Sequence, residues 1–473
     1  MDGMTTSQIA QSYYDRDACE IGIVHLGFGA FHRAHQAVYI DDYMQHTNDL
    51  RWGIAAVNLR ASESESFKAV ASEIAHYGGY FMKAISPDNK MQYSLVRPHL
   101  AFEDWARDSQ NAEALVSLSS VTLLTITVTE SGYYTDMDGN LDLTHAVIAA
   151  ELAGEKPQSV YGYLRAALNG RRTKIDEPIT ISCCDNIRQN GVMLRRNLLA
   201  YLKACGDDSL TQWVSKNVSF PCSMVDRITP RSPASLADEM TTLVGDKVIF
   251  PILCEDYIQW VMSDDAAGAM PDLATVGVTV TSDVDPYEET KIRVLNGGHT
   301  ALAYMAALEG IETFDEAMHT PQLRKHFDMF ETKEVLPAIT ISLPFARDVY
   351  QEKTALRFGN QAIGDTVARI CADGMAKFPI FIRPTLEGCF ENGITPHYAI
   401  ASIASWYVFA RHVAAGKIPF DYIEPSWDQL SEMLGTDAFL TSEQLWGSVP
   451  TKYPEFIDLL KQAIAEGEAS WPV

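Results

Sequence analysis

At 473 residues the chain exceeds one comfortable hydrophobic core, so two or three domains are expected. Its 47% hydrophobic and 21% charged residues are those of a soluble globular protein, and 62 acidic against 37 basic side chains leave a formal charge of −25. Such a surface repels nucleic acid and anionic membranes, so neither is an expected partner.

In chain order, the N-terminal MDGMTTSQIAQSYYDRDACE has neither the basic nor the apolar region of a signal peptide. The longest apolar stretches, such as VTLLTITV, are too short to span a bilayer. Eight dispersed cysteines with no C-x-x-C fit a reduced, cytoplasmic setting. Oligomeric state leaves no mark in the sequence.

The first half alternates β-rich runs with amphipathic stretches. IGIVHLGFG from Ile21, WGIAAVNL from Trp52, SVTLLTITV from Ser120, PITISCCD from Pro178 and VTVTSD from Val278 read as strands. AFHRAHQAVYIDDYM, SVYGYLRAALNGRR and GVMLRRNLLAYLKAC between them read as helices, which predicts an α/β domain built on a parallel sheet with helices on both faces. After DVDPYEE the pattern becomes helical, in ETKIRVLNGGHTALAYMAAL, TVARICADGMAKF and HYAIASIASWYVFARHVAA. The expected division is 1–284, a Rossmann-type dinucleotide-binding domain, and 285–473, a mainly helical domain.

The run IVHLGFGAFHRAHQ has the form strand, Gly27-Phe28-Gly29, helix. Gly27 permits a tight turn, Gly29 lets backbone approach a pyrophosphate, and the helix N-terminus favours the negative charge. His32 stands where a third glycine would be expected. The candidate cofactor residues are Gly27, Phe28, Gly29, Ala30, Phe31 and Arg33, the last as a phosphate contact; His32 and His35 read first as hydrogen-bonded structural residues. The cofactor expected is NAD, with NADP not excluded: Arg60-Ala61-Ser62-Glu63-Ser64-Glu65 after the second strand supplies both a base and carboxylates.

KIRVLNGGHT, from Lys291, joins a lysine, an asparagine and a histidine to two adjacent glycines. On an α-helix at about 100° per residue, with Lys291 at zero, Glu288 falls near about 60°, His299 near about 80° and Asn296 near about 140°. All four share one face, yet Lys291 and His299 would be separated by about 12 Å along the axis. A kink or close packing at Gly297-Gly298 would relieve that distance, and compensate for glycines that each cost about 1 kcal/mol in a helix. The plain alternative is a surface helix with a Glu288/Lys291 pair.

Several separated motifs resemble those of one family. They are G-x-G-A-F-H-R-A-H-Q at Gly27 to Gln36, T-x-T-E-x-G-Y at Thr127 to Tyr133, SCCDN at Ser182 to Asn186, FPCSMVDRITP at Phe220 to Pro230, and K-x-x-x-x-N-G-x-H at Lys291 to His299. RFGNQAIGDTVARICADGMAK, Arg357 to Lys377, is similar to a further block, with Gln361 in place of the usual proline. Together they resemble the long-chain polyol dehydrogenases of the mannitol 2-dehydrogenase and fructuronate reductase (D-mannonate oxidoreductase) family. The resemblance implies metal-independent hydride transfer in carbohydrate metabolism, with Lys291 as general base and acid. It implies that Asn186 and Asn296 flank the reacting oxygen, that His299 meets a substrate hydroxyl, and that Glu288 moves protons between Lys291 and solvent. Asp226, Arg369 and Lys377 match substrate-contacting positions.

The residues alone leave alternatives: Asp185 and Asn190 compete with Asn186, Arg369 and Lys377 could be surface ion-pair partners, and Glu130 reads equally as a site residue or a strand-end ion pair. A lysine with an ordinary pKa of about 10.4 is a poor base at neutral pH. Bringing it to the useful range of about 7 to 8 takes about 4 kcal/mol of bias against the ammonium. The expected reaction is D-mannitol to D-fructose; the alternatives are D-mannonate to D-fructuronate and, from another class, a catalytically silent nucleotide-binding sensor.

Overall fold

The computed structural model describes residues 9–136, 139–342 and 345–472. The chain divides into two compact units, Met1–Ile85 with Met91–Asp285, and Ser86–Lys90 with Pro286–Val473. The change at Asp285 to Pro286 lies beside the expected boundary; the excursion Ser86–Lys90 leaves no signal in the sequence.

The strands of the first unit are, in order, β1 (Ile9–Gln11), β2 (Ile21–Leu26), β3 (Gly53–Asn58), β4 (Tyr80–Ile85), β5 (Met91–Val96), β6 (His99–Asp104), β7 (Leu123–Ile126), β8 (Ile179–Cys183), β9 (Val218–Ser219), β10 (Ser223–Asp226), β11 (Ile252–Glu255), β12 (Gln259–Ser263) and β13 (Thr279–Thr281). Six make a parallel sheet in the order β6-β3-β2-β7-β8-β9. The order reverses between β2 and β7, the switch point at which doubly wound sheets bind nucleotides. Strands β3, β7 and β8 are buried along their whole length, as apolar runs with both faces covered must be.

Alternation along β2 feeds two cores. Val24 and Leu26 join a cluster with helices Val160–Lys174 and Asn190–Ala204, whereas Ile23 joins one with helix Gln36–Thr47. The second face is only partly helical, since strands of a four-stranded sheet (β1-β5-β4-β11) and a three-stranded sheet (β10-β12-β13) also pack into that cluster. VTVTSD, expected among the strands, supplies β13, which pairs with β12 outside the parallel sheet.

The second unit is built on helix Gly297–Leu308. Ala301 to Ala307 are all buried, so this helix is apolar all round and needs neighbours on every side. Helices His397–Ala414, Val367–Cys371 and Pro321–Phe330 supply them. Three π-helical turns interrupt the unit at Lys291–Asn296, Glu331–Val335 and Phe378–Ile382. Among the described residues no helix is long and apolar enough to cross a membrane. No disulfide joins the eight cysteines.

Candidate active site

The glycine turn follows β2 at the switch point. Gly27 has φ +91°, and a Cβ there would lie 1.9 Å from the carbonyl oxygen of Thr127, so both conformation and space require glycine. A Cβ at Gly29 would meet no atom within 4 Å, leaving open space above the backbone where a pyrophosphate could approach. The helix that follows is short, Ala30–Ala34, and is broken at His35 (φ −125°, ψ −90°), whose Nε2 lies 2.8 Å from the Gln259 carbonyl oxygen.

Three buried histidines support the turn. His25 Nε2 lies 2.7 Å from the Gly27 carbonyl oxygen and 3.0 Å from Thr127 Oγ1, and its Nδ1 lies 2.7 Å from Thr125 Oγ1. The His32 ring stacks on His25 at 3.3 Å, and its Nε2 lies 2.9 Å from His99 Nε2. Burial pushes His25 down to about 3, and burial with mutual repulsion holds His32 and His99 well below the ordinary imidazole range. All three are neutral at neutral pH. His32 thus has the structural role expected of it.

Arg33 departs from expectation. Its guanidinium is buried, lies over the rings of Phe28 and Tyr80, and donates from Nη1 to the Phe250 carbonyl at 3.3 Å. This geometry packs the turn from inside and gives no support to a phosphate contact. At the end of β3, Asn58 is buried and bonded to Arg60 and Asp104, and Arg60 reaches the Val128 carbonyl at 3.2 Å.

The loop after β8 separates Asn186 from its two rivals. Asn190 is fully buried, donates to the carbonyls of Cys183, Asp185 and Ser223, and accepts the Ser223 N–H. Asp185 accepts the N–H groups of Val128 and Thr129 and the Tyr133 hydroxyl. Both are engaged in holding the loop, whereas Asn186 is exposed. Asp226 is buried at the end of β10, opposite Gln259. Glu130 is exposed in the short helical turn Glu130–Tyr133.

In the second unit Glu288 and Lys291 are 7% and 6% exposed, which rules out the surface-pair reading. The interruption of the helix lies before the glycines. Lys291–Asn296 is a π turn, and Gly297 has ordinary helical angles (φ −62°, ψ −47°). In a turn closed by i→i+5 bonds, residue i+5 comes nearly above residue i. Lys291 and Asn296, about 140° apart on an α-helix, are thereby drawn toward one line. The glycines serve packing. A Cβ at Gly297 would lie 3.1 Å from the Phe381 carbonyl oxygen, and one at Gly298 would lie 2.7 Å from the Phe327 ring and 3.0 Å from Glu331 Oε1. The three π turns therefore converge on this pair.

His299 stacks on Phe358 at 3.8 Å and meets Phe314 edge-on at 4.6 Å. Burial, then the charges of Arg369, Arg357 and Lys377, hold its imidazole well below the ordinary range. The neutral ring can accept or donate one hydrogen bond to a hydroxyl. Arg369 is paired with Asp365, its Nε donating at 2.6 Å, and Lys377 Nζ donates to the Ile370 carbonyl at 2.8 Å. Arg369 and Lys377 do not share one helix, because Val367–Cys371 ends before Gly374–Lys377 begins. Arg357 is buried in the same group; its only sequence signal is that it opens the RFGN block. Among the described residues no group of three or more His, Cys, Asp or Glu side chains is arranged to hold a metal ion.

The strand order, with a turn at its switch point that only glycine can form, marks the first unit as a Rossmann-type nucleotide-binding domain. Over residues 21–275 the sequence matches the family model for the mannitol dehydrogenase Rossmann domain, and over 283–465 that for the mannitol dehydrogenase C-terminal domain. The chain belongs to the mannitol dehydrogenase family and is a polyol dehydrogenase. D-arabinitol 4-dehydrogenase of Ralstonia nicotianae is 33% identical over 457 residues, 94% of this chain and 96% of that protein. Polyol:NADP oxidoreductase of Gluconobacter oxydans is 34% identical over 426 residues, 89% and 86% respectively. The Pseudomonas fluorescens mannitol 2-dehydrogenase ternary complex with NAD and D-mannitol superposes with a TM-score of 0.88 at 28% identity, covering 98% of this chain and 96% of that one.

Proposed function

We propose that the chain oxidises a secondary alcohol of a polyol to the ketose, with D-mannitol and D-fructose as the leading pair, and that Lys291 carries the proton. The observation that carries this reading is the π turn Lys291–Asn296, which buries the lysine and draws Asn296 toward the same line. NAD held at the glycine turn would supply the acceptor for the hydride of the carbinol carbon. Gly27 forms the turn, and Gly29 keeps a side chain out of the space the dinucleotide needs. Lys291 Nζ takes the hydroxyl proton during oxidation and returns it during reduction, and buried Glu288, one helical turn earlier, relays it to solvent. Asn186 and Asn296 donate N–H groups to the oxygen as negative charge develops on it. Neutral His299, with Asp226, Arg369 and Lys377, holds the remaining hydroxyls.

Two features keep alternatives in the test. Arg357 and Lys377 near His299, beside the Asp365-paired Arg369, favour a second reading with an anionic substrate, D-fructuronate reduced to D-mannonate. Arg60, at the end of β3, is the base that would meet a 2′-phosphate, and one relative is named for NADP. The experiment is a panel following the absorbance of reduced nicotinamide, with NADH and NADPH, against fructose, xylulose, fructuronate and tagaturonate. Fructose turnover with NADH is expected to have the highest kcat/KM. Exclusive turnover of hexuronates replaces the leading reading with the second, and no turnover at all favours the nucleotide-binding sensor.

A further inference from the structure

Two loops flank the switch point on the β7 and β8 side, and a single carboxylate joins them. Asp185, in the loop after β8, accepts the Val128 N–H at 2.9 Å, the Thr129 N–H at 3.1 Å and the Tyr133 hydroxyl at 2.6 Å, all three from the loop after β7. At its centre Thr129 has φ +68° and ψ +160°. Only glycine normally adopts that conformation, and a β-branched residue stays there only when its surroundings over-determine it. Hydrogen bonds from two successive N–H groups to one carboxylate are such a constraint. The Asp185 carbonyl in turn accepts from Asn190 Nδ2 at 3.1 Å, and Asn190 is anchored in both directions to Ser223. The peptide plane leading into Asn186 is therefore fixed from both ends, while the Asn186 side chain itself is exposed.

We infer that Asp185 is a positioning residue for the hydride-transfer reaction: by clasping Val128, Thr129 and Tyr133 it fixes the loop that presents the Asn186 amide to the reacting oxygen. The inference rests on the proposed role of Asn186. Burial pushes the Asp185 carboxyl up to about 6, against the pull of the Tyr133, Val128 and Thr129 donors, which favour its ionised form. Tyr133 and Asp185 belong to two of the sequence motifs, but the bond that makes them one device crosses between separate strands and is invisible in either.

The test compares Asp185→Asn, Asn186→Ala and the double variant, with kcat and KM for polyol, NAD affinity and thermal unfolding measured on each. An asparagine keeps the shape but offers one acceptor oxygen where three donors converge. Asp185→Asn is expected to lower kcat by about 10²-fold, the effect of a misplaced group, with KM and NAD affinity changed much less. If Asp185 acts through Asn186, the double variant is no slower than Asn186→Ala alone, because the residues work as a unit. Wild-type kcat in Asp185→Asn, or losses that multiply in the double variant, overturns the inference. Unchanged kcat in Asn186→Ala overturns instead the oxyanion reading beneath it. If Asp185→Asn does not fold, Tyr133→Phe removes one donor without disturbing the core: a several-fold lower kcat at unchanged KM supports the clasp, and wild-type kcat overturns it.

Discussion

Glycine appears twice at the heart of this molecule for two different physical reasons. Gly27 is required by its own backbone, since it sits at φ +91° with a carbonyl oxygen where a Cβ would go. Gly297 and Gly298 are ordinary in backbone and are required by their neighbours, the Phe381 carbonyl, the Phe327 ring and the Glu331 carboxyl. The first kind shapes a turn that a bound nucleotide can approach; the second lets the other two π turns close on the segment that carries Lys291. A glycine in sequence thus marks either an unusual conformation or an unusually close approach, and only the fold distinguishes them.

The largest effect is expected at the first site. Gly27→Ala combines a disfavoured φ with a backbone clash and should lower stability by about 2–5 kcal/mol and abolish NAD binding. Gly29→Ala has no atom to meet and should leave stability within about 0.5 kcal/mol of wild type, while weakening NAD about tenfold by occupying the open space. Thermal unfolding with a fluorescence titration of NADH separates the two. Wild-type NADH affinity in Gly29→Ala would show that the dinucleotide does not lie over this turn.

Acid and alkali should then act on the two regions in opposite directions. His25, His32 and His99 are neutral when folded but protonate near pH 6.5 when unfolded. Their contribution is complete above about pH 6.5 and falls as pH drops, by up to about 1.4 kcal/mol per histidine per pH unit. The Asp41 and Asp185 carboxyls, pushed up to about 6 by burial, offset part of that fall. Under Gly298, burial raises the Glu331 carboxyl well above its ordinary range, so this group's contribution is complete below about pH 4.3 and lost as pH rises. The wild-type pH dependence is the small difference of these opposing contributions, so Glu331→Gln is the sharper test: its gain in stability over wild type should grow from pH 5 to pH 8. A variant whose melting temperatures run parallel to wild type across that range contradicts the protonation state assigned to Glu331.

The smallest effect tests the second glycine site. Gly298→Ala should cost about 1–3 kcal/mol as overpacking and lower kcat/KM, and Gly297→Ala should do the same more weakly, as its nearest contact is longer. Were the pair only a weakness in the helix, each alanine would add up to about 1 kcal/mol of stability and leave turnover intact. Two variants that are both more stable and fully active would remove the glycines from the account of the site.

How much of this was legible depended on how local each cause is. Strand, turn and helix around Gly27 follow one another in the chain, so the turn could be read directly, as could β2, β3, β7 and β8 with their continuous apolar runs. Strand β5 could not, because Gln92 and Ser94 interrupt MQYSLV and its first two residues are exposed, and β9 is only two residues long. Arg33 looked like a phosphate ligand because sequence shows its spacing from the glycines but not that Phe250 and Tyr80 receive its side chain. The π turn at Lys291 was beyond reach: its residues fit an α-helical wheel, and Phe327, Glu331 and Phe381, which pack on the glycines after it, lie far away in the chain. Asn186 could be separated from Asp185 and Asn190 only by resemblance, until their hydrogen bonds showed which two hold the loop.

The central claim is that Lys291 carries the proton while the glycine turn carries the dinucleotide, and it is tested most directly by kcat and NAD affinity measured together on Lys291→Ala. The account predicts a kcat lower by about 10²–10⁴-fold, the range for loss of a general acid–base group, with an NAD dissociation constant close to that of wild type. A variant that keeps most of the wild-type kcat would contradict it.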